Sequence, residues 1–94
     1  MAYTRDTAEV LGLQVLGWLI ANDELLPVFQ NASGASEDDI REGASDAAFL
    51  GSILDFVLMD DAWVVACCDA VARPYDSLYQ ARQFLPGGEQ VNWT

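Results

Sequence analysis

Carboxylates are the one reactive group this chain carries in quantity. Its 94 residues hold fifteen Asp and Glu against four Arg, with no Lys and no His, for a formal charge of −11. Without His and Lys, the commonest general base and the Schiff-base nucleophile are missing. Any catalysis would rest on carboxylates, and Asp55 is the one that stands inside the most apolar stretch, where desolvation would perturb it. The simpler expectation is an ion pair with Arg82 or Arg41, so no residue is assigned as catalytic and the chain reads as non-enzymatic. Asp38-Asp39 and Asp60-Asp61 lack the ligand spacing of a calcium loop, and no His is present to build a transition-metal site. Helix capping explains both pairs, and neither a metal nor a cofactor is expected.

Negative charge presented to a partner is the remaining use of these groups. The densest cluster is Glu37, Asp38, Asp39 and Glu42, and together with Trp93 it forms the expected partner-binding rim. A basic protein is the expected partner, since opposite charge speeds encounter. An acidic mimic of nucleic acid is the alternative, and it requires carboxylates in a line over one face. Direct binding to nucleic acid is disfavoured, because duplex surfaces demand clustered cations. Phe29 to Ala44 has the cadence of a helix-turn-helix, yet its second helix would be Glu37-Asp-Asp-Ile-Arg-Glu42, which phosphate repels. An anionic membrane surface fails for the same reason.

Cys67 and Cys68 are the only cysteines. Adjacent residues on a helix point about 100° apart and do not bridge easily. Cys67 is expected in the core and Cys68 at its flank. With no disulfide framework and no signal-peptide pattern, a cytoplasmic location is expected. Gly87-Gly88 follows no strand and reads as a helix stop rather than a phosphate cradle.

The elements that position these groups are all helical. Residues 46–68 hold the largest apolar run. Phe49, Ile53, Phe56 and Val57 share one face and Leu50, Leu54 and Leu58 the next, as in a helix at the centre of a bundle. Asp55, Asp60 and Asp61 exclude a membrane span there, each central Asp costing about 2.5–3.5 kcal/mol on insertion scales. The first helix is expected to begin near Asp6, with Glu9 in capping-box spacing. Its stripes, Ala8-Leu11-Val15-Trp18-Leu19 and Val10-Leu13-Gly17-Ile20, predict burial on much of its surface, with Gly12 and Gly17 allowing close approach. Asn22-Asp23, Ser36, Ser45-Asp46 and Asp60-Asp61 are start signals for four more helices. Pro74 is placed at the first position of a sixth, whose apolar residues are Leu78, Tyr79, Ala81, Phe84 and Leu85.

Shifted by about thirty-eight residues, the chain echoes itself. Leu11 falls on Phe49, Val15 on Ile53, Leu19 on Val57, Asp23 on Asp61 and Ile40 on Leu78. The expectation is an all-α bundle of five or six helices, built as two runs of long, medium and short helix over residues 1–88. Residues 89–94 form a tail in which Val91 or Trp93 docks on its own chain or, in a homodimer, on its mate.

Leu16-Gly-Trp-Leu19, Asp23-Glu-Leu-Leu-Pro-Val-Phe29, the Ser33-Gly-Ala-Ser36 turn, Phe49-Leu50, Leu54-Asp-Phe56 and Leu85-Pro-Gly-Gly88 span residues 9–88. In these pieces the chain resembles an alphaproteobacterial family of small acidic proteins, the domain of unknown function 3572. The resemblance implies a compact helical, cytoplasmic protein and carries over no activity and no site residue.

Overall fold

Every described helix but the last begins where a short polar side chain takes up orphan backbone N–H groups. The computed structural model of the chain describes residues 3–86, which form six helices and no strand: α1 (Arg5–Ala21), α2 (Leu25–Ser33), α3 (Glu37–Gly43), α4 (Ala47–Leu58), α5 (Asp61–Val71) and α6 (Ser77–Arg82). No described helix is long and apolar enough to cross a membrane. Thr4 and Thr7 cap α1 reciprocally, Thr7 N donating to Thr4 Oγ1 at 3.2 Å and Thr4 N to Thr7 Oγ1 at 2.8 Å. That start lies ahead of the expected Asp6, because Thr4 has the extended backbone a cap needs. Glu9 pairs instead with Arg5 at 3.0 Å.

The later start signals act as read. Asn22 Oδ1 accepts from Glu24 N and Leu25 N at 3.1 and 3.0 Å. Ser36 and Asp39 form a capping box on α3. Asp46 Oδ1 takes Ala48 N at 3.0 Å, and Asp60 Oδ1 takes Ala62 N at 2.8 Å. Gly34 closes α2 at φ 75°, a left-handed conformation that suits a residue without Cβ. Pro74 does not open α6; it stands in the turn before it, where its carbonyl accepts from Ser77 N at 3.0 Å.

At the centre lies α4, burying Leu50, Gly51, Ile53, Leu54, Phe56 and Val57. Helix α1 lays Leu11, Val15, Leu16 and Leu19 into the same core, and α1 and α4 share the largest interface. The two approach closely at Gly12, where an added Cβ would meet Leu50 Cβ at 3.0 Å. Each fully buried leucine-sized side chain here contributes about 1.5–3 kcal/mol. An aromatic row ties α2 and α5 to α4. Phe29 meets Phe56 edge-on at 5.2 Å, and Phe56 stacks on Trp63 at 4.9 Å.

Helix lengths run 17, 9 and 7 residues, then 12, 11 and 6, so the expected order of long, medium and short occurs twice. Packing breaks the correspondence. Helix α6 packs on both long helices, whereas α3 packs mainly on α4.

Three expectations need correction. The second stripe of α1 is not buried: Val10, Leu13 and Ile20 are 51, 45 and 47 % exposed, and Gly17 has open space around it. No described helix covers that side. Cys68 is no flank, being fully buried beside Cys67. Because α5 packs on both α1 and α4, two adjacent directions around it are covered. Burial pushes the Cys67 thiol up to about 12 and raises that of Cys68, so both are held protonated. Finally, Tyr79 and Phe84 stand exposed, and only Leu78, Ala81 and Leu85 of their group are buried.

Arg82 locks the end of the fold. Its Nε and Nη2 hold Asp55 Oδ1 and Oδ2 at 2.7 and 2.9 Å, while Nη1 donates to Leu85 O and Pro86 O at 3.3 and 3.1 Å. The expected pair with Asp55 is therefore made, though on a side chain 57 % exposed rather than in the interior. Gly51 gives the guanidinium its berth, since a Cβ there would lie 2.9 Å from Nη1 and 3.2 Å from Pro86 O.

Two stability predictions follow from these contacts. Ala72 ends α5 in the left-handed region at φ 58°. Ala72→Gly is expected to stabilise the protein by about 0.5–1 kcal/mol in urea denaturation, relief of the Cβ clash exceeding the added unfolded-state entropy. A loss of stability would show that the turn carries no such strain. Asp55→Asn is expected to cost less than about 1 kcal/mol because the carboxylate is half in water. Arg82→Gln is expected to cost about 2 kcal/mol, since it also abandons two carbonyls. Equal costs would mean that the carbonyl bonds contribute nothing.

Candidate functional site

The corner between α2, α3 and α4 holds a cleft of about 560 Å³. Its aromatic walls come from Phe29 on α2 and Phe49 on α4, whose rings meet edge-on at 6.1 Å. The Ser33-Gly-Ala35 turn and Ser52 complete the wall, and three carboxylates, Asp39, Glu42 and Asp46, line it with no basic residue among them. The corner exists because Gly34 turns the chain sharply after α2 and because α3 is only 7 residues long.

Gly43 makes the cleft possible. It is buried at the end of α3, and a Cβ in its place would run into the Phe49 ring. The bare backbone lets that ring lie against the end of α3. Asp46 enters from the cap of α4, with one oxygen on Ala48 N and the other without a partner among the described residues. Asp39 enters from the capping box of α3, one oxygen accepting from Ser36 N at 3.0 Å. Both positions follow from the folding signals themselves, so their charge is fixed in place at little added entropy cost.

The acidic rim read from the sequence is divided by the helix that carries it. Asp39 and Glu42, three residues apart, both line the cleft. Glu37 lines a second, smaller groove with Ile20, Leu26, Ile40 and Arg41. Asp38 stands 3.8 Å from Arg41, in a pair so exposed that it contributes little. Trp93 and Val91 lie outside the described residues. Asp46, Phe29 and Phe49 were missed as site residues: the first reads as a cap, and the other two read as core by periodicity.

The arrangement can attract and orient a cation. Three carboxylates around one concave surface concentrate negative potential. The half-buried Phe49 ring at the wall favours a flat or organic cation over a bare ion. No group of three or more His, Cys, Asp or Glu among the described residues is placed to hold a metal. Acids spaced around a wall suit a guanidinium or ammonium that enters between them. Asp55 lies elsewhere, its two oxygens already held by Arg82.

Gly43→Ala is expected to cost about 1–3 kcal/mol by overpacking against Phe49. In a Phe49→Leu background the same change is expected to cost markedly less, as measured by a double-mutant cycle in urea. Additive costs would show that glycine and ring are not in contact.

No curated protein and no solved structure gives a significant match to the chain. A family model does match, over residues 5–88, which takes in all six helices and every residue of the cleft. The chain therefore belongs to the family described as protein of unknown function (DUF3572).

Proposed function

We infer that the protein is a non-enzymatic helical interaction module whose α2–α3–α4 cleft receives a basic side chain from a partner protein. The observation that supports this most is the lining of that cleft: Asp39, Glu42 and Asp46 around Phe29 and Phe49, with no cation present. Arginine fits best. Its planar guanidinium can stack on a ring while its edge donates to carboxylates, and it sheds water more readily than an ammonium. The net charge of −11 adds long-range attraction for a basic partner and speeds encounter more than it tightens the complex. Two buried, unpaired thiols suit work in the cytoplasm, where disulfides are rare.

A short arginine peptide, acetyl-Gly-Arg-Gly-amide, titrated into the isotope-labelled protein gives a direct test. Resonances of Gly34, Glu42, Gly43 and Phe49 are expected to move, and Glu42→Gln with Asp46→Asn to weaken binding by about tenfold. A lysine peptide is expected to bind less well than the arginine peptide. Shifts scattered over all acidic faces, unaffected by the double substitution, would rule the cleft out.

A further inference from the structure

Three of the four arginines have carboxylate partners: Arg5 with Glu9, Arg41 with Asp38 and Arg82 with Asp55. Arg73 has none among the described residues, in a chain with fifteen acids to choose from. Its Nε donates to Gln14 Oε1 at 3.2 Å, which fixes the guanidinium against α1. The two terminal nitrogens are left without a partner among the described residues. Two acids that share cleft walls with Arg73 bond other side chains: Asp69 Oδ1 accepts from Tyr75 Oη at 2.8 Å, and Asp76 Oδ2 accepts from Gln80 Nε2 at 2.8 Å.

Arg73 lines a cleft of about 540 Å³ between the start of α1 and the α5–α6 turn, together with Tyr3, Thr7, Pro74, Asp76, Ser77 and Gln80. Ser77 is the one buried polar residue among the described residues, 3 % exposed, and its hydroxyl is not buried without a partner, so it is open to the cleft it lines. A guanidinium held by one nitrogen and a free hydroxyl on the same cleft wall are the donors that an oxyanion takes.

We propose that the Arg73–Ser77 cleft is a binding site for the oxyanion group, phosphoryl or carboxylate, of a small ligand. The site is separate from the acidic cleft and, unlike it, carries a guanidinium. The guanidinium binds two oxygens in its fork, and the Ser77 hydroxyl donates to one of them. Asp76 lines the same cleft, and its Oδ2 accepts from Gln80 Nε2 rather than from Arg73.

Titration of the isotope-labelled full-length chain with inorganic phosphate, with acetate, and with sodium chloride at matched ionic strength tests this. Saturable shifts of Thr7, Arg73, Ser77 and Gln80 are expected with phosphate, acetate or both. A response to phosphate alone assigns a phosphoryl ligand, and one to acetate alone a carboxylate. Arg73→Gln is expected to weaken binding at least about tenfold, while Arg41→Gln, which removes an arginine of the acidic face, leaves it unchanged. Ser77→Ala is expected to weaken it several-fold with the thermal melt checking that each variant is folded. Equal shifts with chloride, no saturable shift with either anion, or binding indifferent to Arg73→Gln would overturn the assignment.

Discussion

The structure depends on how closely α1 can approach α4. Gly12 removes the Cβ that would otherwise meet Leu50, and the two helices then bury Leu11, Val15, Leu16, Ile53, Leu54 and Val57 along one seam. Every other element is placed by that seam. Helices α5 and α6 pack on both rods, which is why two consecutive cysteines can be buried together. Helix α2 reaches α4 through the ring of Phe29. Short α3 is left at the corner, and the acidic cleft is the space between it and its neighbours.

The abundant carboxylates divide into those the fold uses and those it displays. Asp60 works as a cap, and Asp55 is held by Arg82. Asp39 and Asp46 do both, capping with one oxygen while lining the cleft. That double duty gives a small domain rigid surface charge. A carboxylate on a flexible glutamate loses rotamer freedom on binding, whereas one already held by a backbone N–H has lost most of it.

Much of this was legible in the residues. Asn22, Gly34, Ser36, Asp46 and Asp60 mark helix ends because their local chemistry satisfies backbone groups wherever the chain later packs. The apolar faces of α4 showed its central place by breadth alone. What failed were readings that needed tertiary knowledge. Val10, Leu13 and Ile20 have the spacing of a buried stripe, but none of the described helices covers them. Cys68 and Ser77 are buried by where α5 and α6 lie, which periodicity does not encode. The cleft was half visible: Asp39 and Glu42 stood out as charge, while Asp46 was concealed by its cap and Phe49 by its place in a core pattern. Arg73 gave no signal, because its distinction is the absence of a partner that only geometry reveals.

The bare side of α1 has a colloidal consequence. No charged residue occurs from Val10 to Ala21, so Val10, Leu13 and Ile20 form an uncharged greasy strip on an otherwise acidic particle. At neutral pH the mutual repulsion of molecules carrying −11 holds such strips apart. As the medium approaches the isoelectric point near 4.1 that repulsion lapses, and strip meets strip. Association of folded molecules through that strip is then the expected response of this protein to acid.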